Sequence, residues 1–420
     1  MSACSDIQGG GNSIEQCGNR SGRAKYEVAD IFRLYGEDFR AIHNVTQKQK
    51  SVMFDIEHCR SSVFGYHLDV CDECGHIEPE YNSCRNRHCP KCQGIQKRKW
   101  VNARLEDLLP VPYYHVVFTL PDSIFPMCLF NQALIYDLLF DCASETLLTF
   151  GRDPKWLGGE LGFFGVMHTW GQTLWHHPHV HFVVPGGAIG PNGKWLPLKY
   201  KDKFLFPVRA LSQVFRNNFT EGLKDAYKEG WLTFPGDLEA LEAEESFEAW
   251  LQDLKSKEWV VYCKPPFGSP EEVVRYVGQY THRVAISNHR IISIDNARVV
   301  FSYRDYKDDS KIKQMDLTAH EFIQRFLWHV LPSGFHKIRH YGFLANGKKT
   351  KLRGIKECLT FEEECSTGAT QEQREEELEA TICPQCGKGT LRPIVVFDRF
   401  GAMTVRDYAY FIGQTTRDTS

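Results

Sequence analysis

The sequence predicts an α+β protein whose larger part is organised around a central antiparallel sheet, and three stretches carry that expectation. The run from Tyr113 to Thr119, between Pro112 and Pro121, is rich in β-branched and aromatic residues and reads as a strand. The run from Trp175 to Val184 holds His177, His179 and His181 at alternate positions. As a strand it would put these three on one face and Val180, Phe182 and Val184 on the other. Ser269-Pro270-Glu271-Glu272 is a capping box with serine at the N-cap and proline at N1, so a helix begins there.

Composition sets the outer limits. The 420 residues allow two or three domains, and a hydrophobic fraction of 42% is that of a globular protein. No run reaches the ~18 apolar residues of a membrane span, and the polar, glycine-rich start lacks a signal-peptide core, so a soluble, cytoplasmic protein is expected. Fifteen cysteines, an odd number and partly in Cys-x-x-Cys pairs, suit metal thiolates in a reducing compartment better than a disulfide framework. The net charge of −3 does not advertise nucleic acid, but charge is unevenly distributed. Acidic residues crowd into 236–248 and 361–379, whereas 85–104 and 335–356 carry many Lys and Arg and no Asp or Glu.

In chain order, residues 1–22 are expected to be disordered, and 25–58 to form two short helices. Thr46 caps the second, with Val52, Met53 and Ile56 as its apolar face. Cys71-Asp-Glu-Cys74-Gly75 and Cys89-Pro-Lys-Cys92 then read as two halves of a tetrahedral zinc site, with Cys71, Cys74, Cys89 and Cys92 as ligands. Cys59, His67, Cys84 and His88 lie close by and leave a shifted ligand set or a second ion open. With no general base beside it, this zinc is expected to be structural. Lys97-Arg98-Lys99-Trp100 groups cations with an aromatic, as a nucleic-acid surface does.

Residues 123–150 are apolar at helical spacing and should pack on the first strand. Residues 161–170 and 175–184 read as a strand pair, with Pro178 marking the start of the second. That pairing puts His168 near the histidine strand, either as a third metal ligand or as a core histidine. Residues 204–258 read as an acidic helical insertion, and 259–263 as a strand. On the helix that starts at Ser269, Tyr276 and Tyr280 are four apart and share a face. A meander follows over 290–294 and 298–303, then a helix over 320–330. The basic stretch 335–356, with Tyr341 and Phe343 interleaved, is a candidate for following a nucleic-acid strand. Gly342 to Lys348 has the spacing of a P-loop, but Lys349 stands where Ser or Thr must bind magnesium, which argues against nucleotide hydrolysis. Residues 361–380 look like a flexible linker. Cys383-Pro-Gln-Cys386 is half a zinc site, with Cys358 and Cys365 the nearby candidates to complete it.

Histidines on one strand and tyrosines on a later helix suggest a chemistry. A divalent ion held by imidazoles can polarise a phosphoryl oxygen, and a phenol activated beside it can attack phosphorus. The order of motifs resembles the HUH endonucleases, named for histidine-hydrophobic-histidine, here His179-Val180-His181. More narrowly, several motifs together resemble the rolling-circle transposases of the insertion-sequence-ninety-one family. They are Ser83-Cys84-Arg85-Asn86-Arg87-His88-Cys89-Pro90-Lys91-Cys92, the segment from His115 to Pro121, His168-Thr169-Trp170-Gly171-Gln172, His177-Pro178-His179-Val180-His181 and Tyr276-Val277-Gly278-Gln279-Tyr280-Thr281-His282-Arg283. The likeness runs from about residue 26 to 356.

That resemblance implies a bacterial mobile-element transposase with an HUH-type catalytic domain and an N-terminal zinc-binding module. Such an enzyme nicks one DNA strand at the element's ends and forms 5′-phosphotyrosine links. His179 and His181 match the family's metal pair, with His177 and His168 as further candidate ligands of Mg²⁺ or Mn²⁺. Tyr276 and Tyr280 match its nucleophiles. Arg85, Arg87, Lys97, Arg98, Lys99 and Arg283 are the cations expected on single-stranded DNA. The expected domains are a helical and zinc-binding module (23–105), a catalytic domain (106–356) and a linker with a Cys-x-x-Cys tail (357–420). Two other readings fit the residues: a zinc-dependent DNA-binding regulator without catalysis, and a plasmid rolling-circle replication initiator.

Overall fold

In the computed structural model of the chain, residues 24–199, 205–264, 269–281, 285–306, 308–364 and 381–406 are described, the side chains of 93, 95, 96, 279–281 and 360–364 excepted. The expected disorder of 1–22, the acidic run from 365 to 379, Cys365 and Arg283 lie outside them. The N-terminal elements are α1 (Val28–Ile42), α2 (Gln47–Glu57), β1 (Tyr66–Cys71), β2 (Ile77–Tyr81) and α3 (Gln93–Glu106). There follow β3 (Tyr113–Thr119), α4 (Phe125–Phe130), α5 (Gln132–Arg152), β4 (Gly162–Trp170), β5 (His176–Pro185), β6 (Gly187–Ile189) and β7 (Trp195–Pro197). Next are α6 (Val208–Lys228), α7 (Glu244–Ser256), β8 (Val261–Lys264), α8 (Pro270–Thr281), β9 (Ile291–Asp295), β10 (Arg298–Asp305), β11 (Lys311–Thr318) and α9 (Ala319–Trp328). The chain closes with β12 (Ile338–Gly342), α10 (Lys349–Glu364), β13 (Leu391–Phe397) and β14 (Met403–Val405).

The described residues divide into two compact units, one comprising 26–93 with 381–406, the other lying within 94–364 with 24–25. In the first, α1 opens with a reciprocal Glu27/Asp30 capping box and α2 with the expected Thr46 cap, whose Oγ1 accepts the Gln49 N–H at 3.2 Å. Arg40 bridges the two helices through Glu57 at 2.7 Å. A four-stranded antiparallel sheet, β14-β13-β1-β2, completes the unit. The tail expected to stand apart at 357–420 is therefore corrected: β13 pairs with β1 from Tyr66↔Phe397 to Cys71↔Leu391. Val70, Ile394 and Val395 bury a small shared core, which a lone hairpin could not supply. The division into units falls at 93, inside the module expected over 23–105, with α3 in the second unit.

The second unit is built on a five-stranded sheet, β12-β4-β5-β3-β8, in which every neighbouring pair is antiparallel. This is the α+β fold with a central antiparallel sheet that the patterning predicts. The alternation along β5 sends Val180, Phe182 and Val184 into a large core with Phe118, Phe140, Phe163 and Phe215. Gly165 lets that face close, because a Cβ there would lie 2.5 Å from the Phe182 ring. The stretch 204–258 is helical as expected, and Phe215, Phe219, Phe247 and Leu251 make it part of this core while its acidic residues face water. On the opposite face, Val273, Val274 and Val277 of α8 pack against Phe164, Val166 and Val183. A second meander, β9 to β11, is joined to α9 through Phe301 and Phe322.

The basic stretch 335–356 does not follow the expectation of an open nucleic-acid surface with interleaved aromatics. It supplies edge strand β12 and the start of α10; Phe343 is fully buried and Tyr341 stacks on Phe163 at 5.1 Å. Burial of these two rings contributes more than exposure would, so the aromatics of this stretch turn inward while Lys348, Lys349, Lys351 and Arg353 face water.

Candidate active site and cysteine clusters

Strand register brings the histidines together. His168 pairs with His179 across β4 and β5, so His168, His179 and His181 share the sheet face opposite the large core. Each offers one ring nitrogen, and the three lie within 4.8 Å of one another. His168 is buried, and the other two are half-buried.

Burial keeps His179 and His181 uncharged. Burial, then the neighbouring His177, lowers the pKa of His179 to about 3, and burial with His168 beside it pushes His181 well below the ordinary value. Neutral imidazoles offer lone pairs at neutral pH. The Nδ1–H of His179 donates to the His177 carbonyl at 2.6 Å, which leaves Nε2 as its ligating atom. Three converging ring nitrogens suit a divalent cation.

His177 is on the same face but outside the trio. Its Nδ1 lies 3.6 Å from an Asp122 carboxylate oxygen, one pleat toward the strand start, so the expectation that it ligates with the others is corrected. His176, on the other face, is buried, with Tyr136 hydroxyl and His176 Nε2 2.7 Å apart.

His115 belongs to the site although no role was expected of it. It lies on β3, its Nε2 2.7 Å from Nδ1 of His181, with the two rings within 3° of parallel. Burial, then the charge of Lys264, lowers its pKa to about 4. Tyr276 meets this ring edge-on at 5.7 Å between centroids. The chain from α8 to the trio is thus Tyr276, His115, His181. Tyr280 follows one turn later on α8. Lys264, which pairs with His115 in the β3/β8 register, and Lys337, whose charge reaches His181, are cations that sequence reasoning missed. Strand parity relative to His181 was the available signal for His115 and Lys264; nothing local marked Lys337.

Of the other expected DNA contacts, Arg98 and Lys99 are exposed on α3 and Lys97 is half-buried, while Trp100 packs on Phe164 at 5.5 Å. Arg85 and Arg87 are exposed on the loop between Cys84 and Cys89.

The four cysteines expected as one zinc site are not brought together. Cys89 and Cys92 cluster with Cys59 and Cys84, whereas Cys71 and Cys74 cluster with Cys383 and Cys386. The physical reason is the β1/β13 pairing, which carries the distant Cys-x-x-Cys turn to the end of β1. Cys358, offered as a partner for the tail cysteines, is instead exposed on α10. In the first cluster Cys92 Sγ lies 3.3 Å from that of Cys59 and 3.5 Å from that of Cys84, close to the ~3.8 Å edge that ~2.3 Å zinc–sulfur bonds give in a tetrahedron. Four thiols at such spacing fit zinc, and none is near the ~2.05 Å of a disulfide.

Comparison with known proteins identifies the family. Residues 162–351 match the family model described as "Putative transposase", and 31–120 match the one described as "Transposase zinc-binding domain". The chain is 47% identical over 386 residues to "Putative transposase y4qJ" of Sinorhizobium fredii (strain NBRC 101917 / NGR234), covering 90% of this chain and 96% of that one. It is 28% identical over 295 residues to the transposase for insertion sequence element IS801 of Pseudomonas savastanoi pv. phaseolicola, covering 69% and 68%. Among solved structures, the chain is 12% identical to the metal-bound conjugative relaxase TrwC in complex with oriT DNA, the match covering 57% of this chain and 96% of that one at a TM-score of 0.24. No helix among the described residues is long and apolar enough to cross a membrane. With matches to both domains and a near full-length relative, the chain belongs to the insertion-sequence-ninety-one (IS91) family of transposases.

Proposed function

We propose that this transposase nicks and rejoins single-stranded DNA at its element's ends by tyrosine transesterification, as rolling-circle transposition requires. Tyr276 and Tyr280 are the nucleophiles, and His168, His179 and His181 hold Mg²⁺ or Mn²⁺. The observation that carries the reading is the contact of Tyr276 with His115, which is itself hydrogen-bonded to His181. A phenol on α8 is thereby set one ring away from the candidate ligands, on the same sheet face.

When bound, the cation would polarise a phosphoryl oxygen and offset charge developing on phosphorus. The remaining work falls to the chain. The tyrosine gives its proton to solvent, its oxygen attacks phosphorus as the bond to the 3′ oxygen breaks, and the leaving 3′ oxygen takes a proton from solvent, so the products are a 5′-phosphotyrosine ester and a free 3′-hydroxyl. The ester conserves the bond energy, so rejoining needs no ATP. His115 fixes the orientation of His181 and excludes water beside Tyr276. Lys264 and Lys337 supply positive charge for the phosphate backbone. Tyrosines four apart on one helix permit two successive transfers. Arg85 and Arg87, held on the loop of the Cys59/Cys84/Cys89/Cys92 cluster with structural zinc, join Lys97, Arg98, Lys99 and Arg283 in gripping DNA.

The test is incubation with end-labelled single-stranded DNA carrying the element's end, with Mg²⁺ or Mn²⁺. A shortened labelled strand and a protein–DNA adduct, both abolished by EDTA and by Tyr276→Phe with Tyr280→Phe, are expected. Unaltered DNA bound by wild-type protein would instead mark a regulator without catalysis.

A further inference from the structure

We infer that Cys71, Cys74, Cys383 and Cys386 form a second zinc site, a clasp that fastens residues 381–406 into the sheet of the N-terminal unit. This goes beyond the proposed DNA chemistry and does not depend on it. The match to the zinc-binding domain ends at residue 120, so Cys383 and Cys386 lie outside it.

The two contributing segments repeat one geometry. In Cys71-Asp72-Glu73-Cys74-Gly75, the Gly75 N–H donates to the Cys71 carbonyl at 3.1 Å with Gly75 at φ +69°. In Cys383-Pro384-Gln385-Cys386-Gly387, the Gly387 N–H donates to the Cys383 carbonyl at 2.9 Å with Gly387 at φ +67°. Each turn also aims a backbone N–H at sulfur, Cys74 N to Cys71 Sγ at 3.5 Å and Gly389 N to Cys386 Sγ at 3.4 Å. Such bonds satisfy thiolates that already ligate a metal.

The sulfurs meet in pairs across the two turns, Cys71 with Cys386 and Cys74 with Cys383, each at 3.7 Å. A tetrahedron with zinc–sulfur bonds of ~2.3 Å has an edge of about 3.8 Å, so the four positions fit that ion. They do not fit two disulfides, which need ~2.05 Å. The neighbourhood is built to hold the turns together. Asp72 accepts from the Thr390 N–H at 2.7 Å and hydroxyl at 2.6 Å, and its own N–H donates to the Thr390 carbonyl at 3.1 Å. Gly389 leaves room for the cluster, since a Cβ there would lie 2.4 Å from Cys71 Sγ.

The paired cysteines Cys74 and Cys383 are 309 positions apart, and few apolar residues hold β13 on β1. Bonds through an ion are what make that distant pairing persist. Cys74 is exposed and Cys386 half-buried, whereas three of the four cysteines in the first cluster are buried. The clasp therefore yields its ion to a chelator before the first cluster does.

The experiment is a Co²⁺ titration of the metal-stripped full-length protein, read by thiolate-to-cobalt charge-transfer absorption. The histidine site has no sulfur and is silent in it. Saturation at two equivalents is expected for the wild type and at one for Cys383→Ser with Cys386→Ser. Gly389→Ala, which keeps all eight cysteines, should also stop at one. In the serine variant, amides of Leu391–Phe397 should exchange rapidly while those of β3 to β5 stay protected. Wild-type saturation at one equivalent, or two in the serine variant, would overturn the assignment. The wild-type count decides the matter even if a variant fails to fold, and it is independent of whether DNA is cut.

Discussion

Gly278→Ala probes the placement of α8 on which the proposed chemistry depends. A Cβ at this position would lie 2.3 Å from Cγ2 of Val101 on α3. Ordinary carbon contacts lie near ~3.5–4.0 Å, so the two helices must part by more than ~1 Å. Overpacking of this kind costs about 1–3 kcal/mol, and replacing glycine by alanine within a helix returns about 1 kcal/mol. The net change in stability is therefore modest, at most about 2 kcal/mol. Catalysis is more sensitive, because Tyr276 sits half a turn from Gly278 and a ~1 Å misplacement costs on the order of 10²-fold in rate. Val101→Ala removes two methyl groups, worth about 1.6 kcal/mol of burial, together with the clashing atom. Single-turnover nicking of single-stranded DNA, measured on both single variants and the double, should show a large loss in Gly278→Ala that Val101→Ala largely restores. Wild-type nicking by Gly278→Ala, or no recovery in the double variant, would show that the placement of α8 does not limit nicking.

Two further outcomes follow from the same geometry. His115→Phe keeps a ring against Tyr276 but removes the hydrogen bond to His181, so the Mn²⁺ concentration for half-maximal nicking should rise about 10–100-fold, with much of the saturated rate retained. His329, buried with Nδ1 3.1 Å from the Thr169 hydroxyl and Nε2 3.1 Å from the Leu174 carbonyl, has its pKa lowered by burial to about 4. Between the ordinary value near ~6.5 and that pH the unfolded chain binds a proton the folded chain refuses, so its stabilising contribution is full above ~6.5 and falls as pH falls. Denaturant melts should show the wild type losing about 2–3 kcal/mol more than His329→Gln between pH 7 and 4.5; equal losses would contradict the assignment.

The sequence made legible whatever depends on local chemistry. The N-cap at Thr46, the capping box at Ser269, the alternation in β5 and the helical spacing of Tyr276 and Tyr280 each follow from contacts within a few residues. What required tertiary pairing stayed open or was misread. Whether His168 ligates depends on the β4/β5 register, and His115 enters only because β3 lies on the other side of β5. His177 has the right parity but sits one pleat too far along the strand. The cysteines misled for a related reason: Cys71 and Cys74 are nearest in sequence to Cys89 and Cys92, yet strand pairing gives them Cys383 and Cys386. Tyr341 and Phe343 lie among cations, and their burial is set by β12 joining the sheet edge.

If a phenol on α8 reaches a phosphate held at the trio of imidazoles, the peptide that carries nucleotide after reaction with single-stranded DNA, mapped by mass spectrometry, holds DNA linked to Tyr276 or Tyr280, and the adduct is lost in His179→Ala. An adduct on any other residue, or strand cleavage that persists when both tyrosines are phenylalanine, would rule this chemistry out.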